Sequence, residues 1–150
     1  MTIPVSQFGA NIVILDLNLH TLDEIPGVLS QHLATRPDIV GISFTFDVSY
    51  KYTKEITAQV KAHNKETIVI MGGPAATVSY HDILDQQEHI DAVCYSEGET
   101  ALCRLVDCEN PIEELAKDPW IVMPAKKAPP PTGTSSLRIE RGSRPSISKE

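Results

Sequence analysis

The sequence predicts an α/β domain: a parallel sheet of about four strands with helices packed on both faces. Three observations carry this expectation. Short β-branched apolar runs alternate with longer stretches of helical periodicity along the chain. The runs lack the strict apolar–polar alternation that a solvated face would impose, which suits strands buried on both sides. No hairpin turn signal joins one run to the next, so each connection reads as a crossover through a helix.

The first strand is Asn11 to Leu15, NIVIL, closed by Asp16. Thr21 with Glu24 three residues on has the form of a capping box, and Leu22, Ile25, Val28, Leu29 and Leu33 then recur at helical spacing up to Arg36. Pro26 sits early enough to be tolerated near a first turn. Asp38 to Ser43, DIVGIS, is the second strand, followed by a helix with Val48, Tyr52, Ile56 and Val60 on one face. Thr67 to Met71 is the third strand, and its purely apolar composition puts it at the centre of the sheet. Ser79 opens the next helix, Ile90 to Tyr95 is the fourth strand, and SEGET leads into a short helix through Ala101, Leu102, Leu105 and Val106. PIEELAKDPW adds another short helix. Right-handed crossovers place the turns after Asp16, Ser43, Met71 and Tyr95 along one edge.

That edge is where open α/β sheets bind ligands. Its most distinctive stretch is TIVIMGGPAAT, Thr67 to Thr77, an apolar run ending in Gly72, Gly73 and Pro74. Paired glycines there let a ligand approach bare backbone, or simply turn the chain from strand to helix. Ser43 and Thr45 follow the second strand, and Glu97, Gly98 and Glu99 follow the fourth. Helix capping would explain the hydroxyls equally well, and a first turn favoured by the helix dipole would explain the glutamates.

Composition narrows the field. The chain has 150 residues and a net charge of −7. From Pro124 onward, Lys126, Lys127, Arg138, Arg141, Arg144 and Lys149 against Glu140 and Glu150 leave the tail at +4 and the body at −11. An acidic body argues against nucleic-acid binding. No run approaches the roughly 20 apolar residues of a membrane span, so the cytoplasm is the expected location. The three cysteines do not form a disulfide framework, and Cys94, within an apolar run, belongs to the core. There is no GxGxxG and no GxxxxGK[ST]. No CxxxCxxC is present, Cys103 and Cys108 are not spaced for a cluster, and the five histidines lack paired ligand spacing. A phosphoaspartate receiver is not supported, because Ser96 and Glu97 follow the last strand where it needs a lysine.

Taken together, PDIVGIS, IVIMGGPAAT and IDAVCYSEGETAL resemble the cobalamin-binding domain found at the front of many radical S-adenosylmethionine enzymes, over about residues 10 to 107. In that family a Ser-x-Leu or Ser-x-Thr element precedes a Gly-Gly at a characteristic distance; here Ser43-Phe44-Thr45 and Gly72-Gly73 are separated by the 26 residues Phe46 to Met71. The resemblance implies a Rossmann-like (flavodoxin-like) fold. It implies a site for the nucleotide tail of cobalamin formed by Ser43, Thr45, Gly72, Gly73 and Pro74, with Glu97, Gly98 and Glu99 as its last wall. It implies no catalytic residue and no iron–sulfur cluster in this chain, and a radical S-adenosylmethionine catalytic domain, possible on another chain, as partner.

Two departures are equally clear. The family's Asp-x-His-x-x-Gly loop, which supplies a cobalt ligand, would fall at or before Met1, so the cobalt is expected to lack a protein ligand. The family's first strand and helix should precede Asn11. In strand order 2-1-3-4-5 the missing strand would lie between the first two here, and Met1 to Phe8 is too short to replace it. The expectation is therefore a corrinoid-binding module, truncated or autonomous, over residues 1–125. The alternatives are a non-binding remnant serving as an interaction domain, or a flavodoxin-like domain for another small ligand.

Residues 126–150, rich in Pro, Gly, Ser and Thr, read as a disordered basic tail. Ordering it would cost about 1 to 2 kcal/mol per residue with little apolar surface to offset this. Truncation at Lys126 is expected to leave both thermal unfolding and ligand binding unchanged; unfolding of the truncated protein would refute it.

Overall fold

A computed structural model describes residues 2–5, 10–45, 50–95, 98–119 and 121–124. The tail beyond 124, Val48 and Glu97 lie outside these. The strands are β1 (Thr2–Val5), β2 (Ala10–Val13), β3 (Ile39–Ser43), β4 (Ile68–Gly72), β5 (Ala92–Cys94) and β6 (Ile121–Val122). The helices are α1 (Ile25–Leu33), α2 (Tyr50–His63), α3 (Pro74–Gln86), α4 (Glu99–Asp107) and α5 (Pro111–Lys117).

The main sheet runs β3-β4-β5-β6, with β3, β4 and β5 parallel and β6 antiparallel to β5. The expected α/β architecture is thus observed, with the apolar run Ile68–Met71 in the interior. Two expectations about membership are corrected. The run beginning at Asn11 does not join this sheet: β2 pairs antiparallel with β1, Ile12 opposite Ile3, in a separate hairpin. A short apolar run satisfies its backbone equally well in either setting, so composition did not distinguish them. Ile90 to Tyr95 does supply a strand, β5, and the place left in the sheet is taken by the antiparallel β6, whose two residues are too few to carry any periodicity.

Residue parity divides the sheet into two unlike faces. Val40, Ile42, Val69, Met71 and Val93 face α1, α2 and α3, and pack with Leu29, Leu33, Val60, Ala76 and Ile83. Ile39, Ile68, Ile70 and Ala92 point the other way, towards Leu105 of α4 and Leu115 of α5. Cys94 is buried at the end of β5, as expected.

The helix boundaries follow local chemistry. Glu24 accepts from the Thr21 N–H at 2.9 Å, the reciprocal half of the capping box, and this bond holds its carboxyl below the ordinary value. The helical segment starts only at Ile25, leaving Leu22 56% exposed and off the core face it was expected to share. α3 starts at Pro74, not at Ser79, because a proline at the first helical position loses no hydrogen bond there. Ser79 marks an internal kink, with φ −112° and ψ 17°.

At the amino-terminal ends of the parallel strands, Lys61 and Asp91 form an ion pair at 2.6 Å with side chains only 14% and 10% exposed. Asp91 also accepts from the Val69 N–H at 2.7 Å, while Lys61 donates to the Thr67 carbonyl at 2.7 Å. One node therefore joins the end of α2 to the starts of β4 and β5. Removing one member leaves the other charge poorly solvated, which is worth about 3–5 kcal/mol in buried pairs. Asp91→Ala is expected to lower unfolding stability by about that amount, read from urea denaturation; a change within error would show the pair to be ornamental.

Candidate functional site

β3 and β4 keep their register to the last residue, Ser43 opposite Gly72, and beyond it the chains are clamped together. Phe44 donates its N–H to the Gly72 carbonyl at 2.7 Å and its own carbonyl accepts from the Ala75 N–H at 3.2 Å. The second bond satisfies one of the orphan donors in the first turn of α3. Between these bonds lies Gly73, at φ 107°, where a Cβ would stand 2.7 Å from the Phe44 carbonyl oxygen. Only glycine tolerates both the positive φ and the approach. Its neighbour differs: a Cβ on Gly72 would lie 3.8 Å from Cys94 Cβ, an ordinary contact.

The clamp leaves a floor of small residues on the face shared with α4. Ser43, Gly72 and Cys94 form the row at the carboxyl ends of the strands, and Gly41, Ile70 and Ala92 form the row beneath. A Cβ on Gly41 would meet nothing within 4 Å. Over this floor lies a cavity of about 300 Å³, walled by Gly98, Ala101, Leu102 and Leu105 of the α4 segment and by Ile121 of β6. Its lining is mostly apolar, and the Ser43 hydroxyl and Cys94 thiol are its side-chain hydrogen-bonding groups among the described residues. No group of three or more His, Cys, Asp or Glu is placed to hold a metal ion among the described residues. No described helix is long and apolar enough to cross a membrane.

Of the residues singled out in the sequence, Ser43, Gly72, Gly73 and Gly98 meet in this cavity. Thr45 is exposed two residues past β3, and Pro74 is exposed at the first position of α3; neither is in the lining. Glu97 lies outside the described residues, and Glu99 is placed as the first residue of α4 with its side chain outside them. Gly41, Cys94 and Leu105 were missed. For Gly41 a signal existed, since a glycine inside an apolar strand often marks a close backbone approach.

A nearly all-parallel sheet with small residues at the carboxyl ends of adjacent strands is the architecture of a Rossmann-like ligand-binding domain. Comparison with known families matches residues 4–106 to the B12 binding domain, and the chain belongs to that family. Among curated proteins it is similar to the anaerobic magnesium-protoporphyrin IX monomethyl ester cyclase of Rubrivivax gelatinosus, at 29% identity over 134 residues, or 81% of this chain. The chain spans only 23% of that protein's length. No solved structure gives a significant match.

The three glycines of the site are expected to respond differently to one methyl group. Gly73→Ala meets both strain and a clash, and loses about 1–3 kcal/mol or more of stability. Gly41→Ala, on an open floor, is neutral or gains about 0.4–1 kcal/mol by restricting the unfolded chain, and Gly72→Ala lies between. Denaturation midpoints in a different order would refute the clamp.

Proposed function

We propose that the chain is a corrinoid-binding module that takes the nucleotide tail of cobalamin into the cavity between the sheet and α4. The observation that carries this is the bare floor: across three strands the side chains facing the cavity mouth are a hydroxymethyl group, a hydrogen atom and a thiol, where a buried sheet face would otherwise present branched residues. Cobalamin's tail is a phosphate, a ribose and an aromatic base on a flexible chain. The mostly apolar lining of the cavity supports a place for the ring, and the Ser43 hydroxyl supports a contact with the phosphodiester.

In this arrangement Gly41 and Gly72 leave room for the ring, while Gly73 acts through the fold by holding Phe44 in place. The Ser43 hydroxyl is available to donate to the phosphate or ribose. Thr45, Pro74, Gly98, Glu97 and Glu99 are proposed to border the mouth, where the corrin would rest across the strand ends. No histidine is among the described lining residues, which favours a cobalt without a ligand from them. The bound corrinoid would supply its cobalt chemistry to a catalytic domain, of the radical S-adenosylmethionine type by resemblance. We place the module in the cytoplasm.

The test is titration of the purified protein with hydroxocobalamin, followed by the visible spectrum and by retention of colour through gel filtration. Retention is expected, with a modest affinity. Gly41→Leu places a branched side chain in the cavity from a position where a Cβ meets nothing within 4 Å, and is expected to weaken binding by the 1–3 kcal/mol typical of overpacking or more, with unchanged circular dichroism. Ser43→Ala should lose about 0.5–1.5 kcal/mol, one neutral hydrogen bond. A folded protein that retains no corrinoid at high micromolar concentration would sink the proposal and leave an interaction domain.

A further inference from the structure

We infer that β3 is a self-pairing edge, along which two copies of the chain join antiparallel, Gly41 opposite Gly41, into one continuous sheet. The inference is independent of corrinoid binding and starts from the direction of the backbone groups. In the ladder between β3 and β4 the Ile68 N–H donates to the Asp38 carbonyl at 2.9 Å, and the Phe44 N–H donates to the Gly72 carbonyl at 2.7 Å. These bonds stand at either end of an unbroken parallel register and fix its parity. Val40 and Ile42 turn their peptide groups towards β4, whereas Ile39, Gly41 and Ser43 turn theirs outward. Among the described residues no strand meets them there, since β3 ends the sheet. Gly41 and Ser43 are exposed.

Sheet edges are ordinarily blunted by shortness, lysine, proline or a bulge. The far edge, β6, has two residues and is followed closely by Pro124. β3 has five, IVGIS, with no charge, no proline and no bulge. Such an edge recruits a strand, and its own sequence is a match. With a two-fold axis through Gly41 and perpendicular to the sheet, Gly41 exchanges both hydrogen bonds with its counterpart and Ile39 exchanges both with Ser43 of the second copy, so every outward N–H and C=O of the strand is paired. On the helix-covered face Val40 falls opposite Ile42 of the second copy, a pairing of β-branched side chains that favours the sheet. At the axis two glycines bring no side chains to collide. Neighbouring registers fit less well: sliding one way sets Ser43 against Pro37, which has no N–H to give, and sliding the other way requires Thr45, beyond the end of the strand. A single short edge buries less than the about 1,200 Å² of a stable interface, so the dimer is a weak one. Each copy carries a net charge of −7, and their repulsion opposes association until salt screens it.

The experiment is sedimentation of the full chain from low micromolar to near-millimolar concentration, together with amide hydrogen exchange followed residue by residue. A monomer–dimer equilibrium is expected, strengthening severalfold as ionic strength rises from about 0.01 to about 0.1 M and the screening length falls from about 30 to about 10 Å. The amides of Ile39, Gly41 and Ser43 should gain protection in step with the dimer fraction, while those of Val40, Ile42 and Phe44 are protected at every concentration. Gly41→Lys and Gly41→Glu each add a side chain in open space and set like charges opposite one another at the axis. Each alone should weaken association by about fivefold or more, and an equimolar mixture of the two should restore it. A chain that stays monomeric throughout overturns the inference. So does a dimer that leaves the Ile39, Gly41 and Ser43 amides unprotected or weakens with salt, because its interface lies elsewhere, and so does a mixture that associates no better than the single variants. If a charged variant does not fold, the exchange pattern of the unaltered chain decides.

Discussion

The approach of Gly73 to the Phe44 backbone is the constraint on which the site depends. Two strands and a helix meet at one point, and they can meet there because one residue has no side chain and accepts a positive φ. The consequence for Phe44 is complete burial of its ring among Val60, Val69 and Met71. The consequence for Ser43 is the opposite: anchored between Ile42 and Phe44, it is held on the other face, exposed, beside Gly72. A single backbone contact thus separates a residue that serves the core from one that serves the cavity.

Parallel sheets require cover on both faces, and this one is covered unequally. Three helices pack on the branched side chains of one face. On the other, α4 and α5 seat over β4 and β5, while Gly41 and Ser43 on β3 remain exposed. The absence of bulk on that strand makes the incomplete cover tolerable, since glycine and serine expose little apolar surface, and the same lack of bulk leaves the cavity open there.

What the sequence disclosed followed from signals that are local and redundant. Ile68 to Met71 is unambiguous because four consecutive apolar residues have no solvated solution, and its neighbours in the sheet follow from the same composition. The site was half legible. Gly72 and Ser43 were found through their place at strand ends, yet the physical reason for Gly73, a collision with a residue 29 positions earlier in the chain, is a tertiary fact that no local pattern contains. Gly41 was passed over because strand glycines were not weighed by the face they would leave open. The hairpin of β1 with β2 and the edge strand β6 were missed for related reasons: pairing partners, not composition, define them, and a two-residue strand has no period to detect.

The reversed direction of β6 has a directional consequence for the molecule. β3, β4 and β5 all run towards the cavity, and had the last strand done so too, the chain would leave the sheet beside it. Because β6 starts at Ile121, level with Cys94, and proceeds to Val122, level with Val93, the peptide departs towards the opposite end of the sheet, where Lys61 and Asp91 lie. β6 thus runs from the cavity, which Ile121 lines, towards the opposite end of the sheet.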